Sequence, residues 1–322
     1  MNKIPVVAVV GPTASGKSDL AVEICRRFNG EAISADSMQI YKGLDISTAK
    51  PTEEEKKGIP HHMMDFLDNT KSFSVADYQL MAEKCIADIS SRGKLPVVVG
   101  GTGLYIDTLL NNVRLTEDSF DEALREKLIS RFEAEGIEPL LTELQEIDPE
   151  YAAKMHPNNV KRIIRALEVW YSSGVTMTQQ IENSHAESPY DVLYIGLDAQ
   201  DRDYLYNRIN LRVDVMLANG LEAEARDYLN KPDTSTSSQA IGCKELKPYF
   251  DGVLTLNEAA DNLKQATRRY AKRQLTWFRR NKEINWILID TFSSKDEMYE
   301  KAFSITEEWE RRMNDVSEQK ND

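Results

Sequence analysis

Cysteine is scarce in this chain: Cys25, Cys85 and Cys243 are the three in 322 residues. They stand far apart, without a CxxC pair or a Cys/His cluster. That spacing argues against a disulfide framework or a zinc site and points to reduced thiols in a cytosolic protein. Long apolar runs are missing too. The opening run IPVVAVV is too short to cross a bilayer and leads into a glycine loop, not a small-residue cleavage site. It reads as a buried strand, in a cytoplasmic protein with no membrane contact. Basic excess is also lacking. Forty Lys and Arg against 53 Asp and Glu leave a net charge of −13, which argues against a wholesale polyanion-binding surface but not against a local basic patch. No repeat and no low-complexity linker interrupts the chain. At 41% hydrophobic and 29% charged residues it has an ordinary globular composition, with length for one large domain or a core plus a smaller one.

What is present begins with Gly11-Pro12-Thr13-Ala14-Ser15-Gly16-Lys17-Ser18, a match to G-x-x-x-x-G-K-[ST]. A β-branched run precedes it and an amphipathic segment follows, the context in which this motif holds phosphate. The glycines let backbone N–H groups turn inward as an anion nest at a helix N-terminus. Lys17 reaches the outer phosphate oxygens, and Ser18 offers a hydroxyl to a bound magnesium ion. The motif by itself does not separate a kinase, an ATPase and a transferase.

Further along, GEAISAD (residues 30–36) reads as a short strand ending at a carboxylate, and LPVVVGGTGLY (95–105) as a buried strand opening into a second glycine turn. Between them lie a turn-rich polar stretch closed by Pro51 and a helical segment, SVADYQLMAEKCIADISSRG. Strand, glycine turn and helix in alternation predict an α/β fold: a P-loop-type parallel sheet flanked by helices, with ligands at the carboxyl ends of the strands. From residue 115 to 189 the composition turns helical and charged, which predicts a helical insertion domain inside a core of 1–114 and 190–322. DVLYIGLD and INWILID are further strands, DRDYLYNRINLRVDVMLANG and LNEAADNLKQATRRYAKRQLTWFRRNK are helical, and NDVSEQKND reads as a frayed tail.

Asp36 stands out as a strand-end carboxylate near the phosphate loop, suited to metal binding, general base work or capping a turn. Thr102 occupies the corresponding place in the second glycine turn, where its hydroxyl and nearby N–H groups suit an anion or a nucleophile. The pair His61-His62 with Asp65 invites a metal site, but adjacent histidines point to different sides of most backbones, which argues against one. Trp277 and Phe278 sit at helical spacing from Tyr270 and Leu275, the pattern of core residues.

GPTASGKS, ADSMQIYKGLDISTAKP, HHMMD, PVVVGGTGLY, HPNNVKRIIRALE, QAIGCKEL and RQLTWFRR jointly resemble, in their order, the bacterial tRNA dimethylallyltransferases, also called tRNA isopentenyltransferases. The resemblance runs from about Val6 to Arg280. Ser18, Ser47 and Cys243 depart from the pattern, where threonine, glycine and tyrosine are commoner; Ser18 keeps the metal-binding hydroxyl.

The resemblance implies transfer of a dimethylallyl group from dimethylallyl diphosphate to the exocyclic N6 of the adenosine 3′ of the tRNA anticodon, with a magnesium ion at the leaving diphosphate. It implies Asp36 as the base that takes the amine proton, Lys17 and Thr102 as further catalytic residues, and the loop Gly11–Ser18 with Arg208 or Arg212 as the diphosphate site. Ser37, Met38 and Gln39 join Asp36 and Thr102 on the tRNA side, where the Gln39 amide suits an adenine edge.

The target base must be splayed from its loop, so a basic surface is expected. KRIIR supplies Lys161, Arg162 and Arg165 beside Ile163 and Ile164, all taken as tRNA contacts. Arg125 matches a tRNA-touching position. Lys264 to Lys282 carries eight basic residues without an acid, Arg273 among them. A monomer is expected. Competing readings are a nucleotide kinase, a transferase acting on free adenine nucleotides, and a non-catalytic RNA-binding module.

Overall fold

The structure, a computed structural model, describes residues 3–113, 121–183, 187–230 and 240–318. Among them one parallel sheet has six strands: β1 (Ile4–Val10), β2 (Gly30–Ser34), β3 (His61–His62), β4 (Leu95–Gly100), β5 (Tyr190–Asp198) and β6 (Asn285–Leu288), in the order β3-β2-β4-β1-β5-β6. The central strand β1 is apolar at every position because both its faces are covered. Val6, Ala8 and Val10 enter one core, and Val7 and Val9 enter the other. The first core takes Ala82 and Ile86 from the helix Val75–Ser91, Ile106 and Leu109 from Gly103–Leu110, and Phe278 from Leu256–Phe278. The second takes Leu20 and Ile24 from Lys17–Arg27, and Met298, Ala302 and Trp309 from Lys295–Glu318.

Local sequence sets the helix ends. Thr255 caps Leu256–Phe278 through a reciprocal box with Glu258. Lys17–Arg27 starts after Gly16 with no side-chain cap and ends on Arg26 and Arg27, which complement its dipole. The uncapped start leaves N–H groups for a ligand.

Two expectations change, and one strand is added. β2 stops at Ser34, so Asp36 belongs to the loop beyond the strand. The two-residue strand β3, too short to carry a period, pairs Ala32 with His61 and extends the sheet. The helix Lys295–Glu318 continues through most of the stretch read as a frayed tail.

The chain divides into two compact units, Met1–Leu110 with Ser188–Asp322, and Asn111–Glu187. The expected start of the insertion, residue 115, lies outside the described residues. Among its described residues the smaller unit is helical and closes on its own core of Leu128, Leu140, Leu144, Ile163, Ile164 and Leu167.

Gly100 ends β4 where the chain passes directly over Ala35. A Cβ there would lie 2.1 Å from the Ala35 carbonyl oxygen, a backbone atom that cannot swing aside. Gly100→Ala is therefore expected to destabilise the fold by about 1–3 kcal/mol or more, read as a lowered denaturation midpoint. An unchanged midpoint would show that the two backbones separate freely.

Candidate active site

The cradle is the loop between β1 and the helix Lys17–Arg27. Ala14 holds a left-handed conformation (φ 63°), and the Arg208 Nε donates to its carbonyl at 2.8 Å. Lys17 Nζ donates to the Pro12 carbonyl at 3.2 Å, folded back on its own loop. The Ser15 hydroxyl is buried without a hydrogen-bond partner. Burial, then the nearby Arg212 charge, pushes the Lys17 ammonium down to about 8, against a smaller opposing pull from Asp36. Burial likewise lowers Arg212, with Asp36 opposing it.

The second component is the loop after β2. Ala35 is pinned by N–H donation to Val99 O at 2.8 Å, and its own carbonyl accepts from Thr102 N at 3.1 Å. Asp36 Oδ1 accepts from the backbone N–H of Met38 (2.9 Å) and Gln39 (3.3 Å), fixing the carboxylate. The Ser37 N–H donates to Thr102 Oγ1 at 3.1 Å. The Gln39 amide is engaged at both ends, accepting from Ser34 Oγ (2.9 Å) and donating to Thr48 O (3.2 Å). It braces its own loop while lining the cavity, with one N–H and one lone pair beyond these two bonds.

A cavity of about 410 Å³ joins the two components. Thr13, Ala14, Gly16, Lys17 and Ser18 meet Asp36, Ser37, Met38, Gln39, Arg212 and Arg273 in its wall. Met64, Val213, Met216, Ile241 and Leu263 add apolar surface. Thr102 anchors Ser37 and is absent from the lining. Gly11, Pro12 and Ser15 form the loop itself. The two arginines left open by sequence separate here: Arg212 lines this cavity, while Arg208 clamps Ala14 and lines a smaller hollow with Tyr204, Phe292 and Lys295. Cationic heads beside a nest of N–H groups suit a polyanionic leaving group, and the braced carboxylate suits proton abstraction.

Residues 39–281 match the family described as IPP transferase, and residues 4–73 match isopentenyl transferase. The chain belongs to the IPP transferase family. The tRNA dimethylallyltransferase of Oceanobacillus iheyensis is 52% identical over 285 residues, 88% of this chain and 91% of the relative. The full-length tRNA isopentenylpyrophosphate transferase of Bacillus halodurans is 43% identical, covers 98% of this chain and 100% of its own, and superposes with a TM-score of 0.74. A eukaryotic dimethylallyltransferase acting on tRNA reaches a TM-score of 0.77 at 31% identity, covering 88% of this chain and 74% of that one.

In this IPP transferase the residue that sequence reading missed is Gln274. Its buried side chain accepts from the Thr13 N–H at 2.9 Å and donates to the Gly101 carbonyl at 3.0 Å, joining the phosphate loop to the second glycine turn. A Cβ on Gly101 would sit 2.0 Å from this amide, so a side chain there would displace the Gln274 bridge. Tyr270, one helical turn earlier, lies beside both Thr102 and Gln274, and burial pushes its hydroxyl up. The signal lay in RQLTW, whose basic neighbours drew attention to charge instead.

Other sequence candidates are redistributed. Ile163 and Ile164 are 0% and 5% exposed inside the smaller unit's core, so their side chains are packing residues, a correction to their assignment as tRNA contacts. Lys161, Arg162 and Arg165 are exposed on the same helix. Arg125 and Arg165 lie 3.6 and 3.5 Å from Glu168. Of the eight basic residues from 264 to 282, Lys264 pairs with Asp214, Arg268 bonds Asn210 and Arg279 pairs with Asp198. Arg269, Lys272 and Arg273 are exposed. Phe278 is buried, and Trp277 packs on the core with its indole N–H on Asp107, as core residues.

His62 joins Arg92 and Lys94 around the buried Glu31 carboxylate, a strut of the sheet edge. His61 lines the cavity with Nδ1 2.8 Å from the Ile59 carbonyl; burial holds it below the usual histidine range.

Gln274→Met keeps the volume and removes both hydrogen bonds. It is expected to cost about 1–3 kcal/mol of stability and to weaken binding of inorganic diphosphate, read by denaturation and titration. Wild-type values in both would remove Gln274 from the machinery.

Proposed function

We propose that this protein transfers a dimethylallyl group from dimethylallyl diphosphate to the exocyclic N6 of the adenosine immediately 3′ of a tRNA anticodon, releasing diphosphate. The observation that carries the reading is the meeting, in one cavity, of an anion cradle backed by Lys17 and Arg212 with the fixed carboxylate of Asp36. The relatives' names supply the donor and acceptor classes.

The allylic carbon–oxygen bond breaks with its electron pair leaving on diphosphate. The loop N–H groups, Lys17 and Arg212 stabilise that charge in a site partly shielded from water. Adenine N6 forms the new bond to the allylic carbon, and Asp36 takes the N6 proton; the neutral amine is otherwise a poor nucleophile, its lone pair being delocalised into the ring. Thr102 acts behind this step by holding Ser37, and Arg208 by fixing the Ala14 carbonyl. The apolar wall of Val213, Met216 and Leu263 suits a short prenyl chain.

A magnesium ion fits the donor set, since Ser18 offers one hydroxyl in the cavity beside Asp19 and Asp36, and this ion commonly combines few protein oxygens with phosphate oxygens and water. Bound there, it would neutralise part of the leaving group's charge. The exposed Arg269, Lys272 and Arg273 support a tRNA path on the helix Leu256–Phe278, with Arg273 reaching the cavity. The exposed Lys161, Arg162 and Arg165 support a second contact. The reading takes the protein to work in the cytoplasm as a monomer. Free thiols at all three cysteines support the first, and the supply of cradle, base and basic helix by one chain supports the second. No helix among the described residues is long and apolar enough to cross a membrane.

Purified protein with labelled dimethylallyl diphosphate and magnesium is expected to label unmodified tRNA and not AMP, ADP or ATP. Asp36→Asn, which keeps an oxygen for the turn, should lower the rate roughly 100- to 10,000-fold, the usual worth of a general base. Label confined to free nucleotides, or an undiminished variant, contradicts the reading. Donor affinity should also depend on pH through Lys17. Below about 8 the free lysine is already protonated, and its contribution to affinity is flat. Above about 8 binding must take up a proton, so affinity falls as pH rises, approaching tenfold per pH unit. Titrations of wild type against Lys17→Met test this, since the variant should lack that slope.

A further inference from the structure

The loop that begins at Asp36 runs on to Lys50, and a carboxylate unused by the reaction clamps its far end. Glu224, on the helix Leu221–Leu229, accepts three successive backbone N–H groups: Asp45 at 2.8 Å and Ile46 at 2.7 Å on Oε2, and Ser47 at 2.8 Å on Oε1. Successive N–H groups converging on one anion form a nest, and hydrogen bonds to an ionised acceptor are the strong kind. Apolar packing holds the preceding stretch, with Ile40, Tyr41 and Leu44 against Leu221 and Ala225 of the same helix. Glu224 continues that grip where the loop turns polar.

The grip reaches the cavity in short steps. Beyond Ser47, the Thr48 carbonyl accepts from the Gln39 amide at 3.2 Å. The Gln39 N–H in turn donates to Asp36 Oδ1 at 3.3 Å. Ser47, Thr48, Gln39 and Asp36 all line the cavity. No bond in this series involves the phosphate loop.

We infer that Glu224 is a positioning residue for the acceptor: it sets the wall against which the target adenosine is seated, through the 45–47 turn and Gln39, and leaves donor binding alone. The inference rests on reading that wall as the tRNA side. It separates two functions of one cavity, because the donor cradle is braced independently by Arg208 and Gln274.

Glu224→Gln and Glu224→Ala in the full chain test it. The glutamine variant keeps its size and one acceptor oxygen but turns an NH2 group onto the remaining backbone N–H; the alanine variant loses all three bonds. Steady-state transfer to unmodified tRNA is measured beside direct titration of dimethylallyl diphosphate without tRNA. The expected result is a roughly 5- to 20-fold loss of kcat/KM for tRNA in the glutamine variant, a larger loss in alanine, and a donor Kd within about twofold of wild type. If the alanine variant does not fold, the glutamine variant decides alone. Equal losses in donor and tRNA terms, or no loss in either, overturn the inference while leaving the proposed function intact. Wild-type protein inactive on tRNA instead overturns the proposed function, and this inference with it.

Discussion

Lys17 and Arg212 share one cavity and oppose each other. Each is drawn below its ordinary pKa range by burial, each is pushed further by an arginine, and Asp36 counteracts both, joined at Arg212 by Glu55 and Asp19. Cations removed from water cost free energy unless they are paired. Asp36 cannot pair fully with both, since its Oδ1 is already spent on two backbone N–H groups. The cavity thus stands in electrostatic deficit, which a diphosphate removes. The repulsion stored in the free protein becomes selectivity for a polyanion, and it is greatest where the leaving group gathers charge.

Such a deficit would collapse if the loops around it could relax. Arg208 fixes the carbonyl of Ala14, Gln274 ties Thr13 to Gly101, and Thr102 ties the same glycine turn to Ser37. These braces come from two helices that follow the insertion in sequence, Arg202–Ala218 and Leu256–Phe278, and from the turn after β4. The phosphate loop is therefore a local motif whose exact shape is set from afar. Small misplacements of reacting groups are costly in rate, which gives a buried amide such as Gln274 a function that its chemistry alone does not reveal.

That division explains what sequence could and could not show. The phosphate loop and β1 were legible because their information is local: eight consecutive residues set the turn, and an unbroken apolar run means a strand covered on both faces. Asp36 was legible as a loop carboxylate near the phosphate site, though its backbone bonds were not. Gln274 was hidden because its partner lies 261 residues away. Glu224 was hidden because a carboxylate on a helix reads as a solvated charge until the N–H groups it meets are known. Arg208 and Arg212, four apart on one helix, were indistinguishable by periodicity; their environments differ through a loop that the helix meets only in the fold. Ile163 and Ile164 were misassigned although their spacing was right, since an apolar stripe opposite exposed charges is what a small helical unit needs for its own core.

The acidic excess is the last element to reconcile with a polyanionic partner. A net charge of −13 spread evenly would repel tRNA from every approach. Here Lys264, Arg268 and Arg279 are neutralised or bonded by neighbours within the core unit, which thins the basic stretch at its edges. The other five are exposed: Arg269, Lys272 and Arg273 on the helix, where Arg273 reaches the cavity, and Arg280 and Lys282 beyond its end. Basic side chains gathered locally on an otherwise acidic body penalise wrong encounters more than they weaken the right one. The adverse total charge thereby becomes a source of orientation for a polyanion.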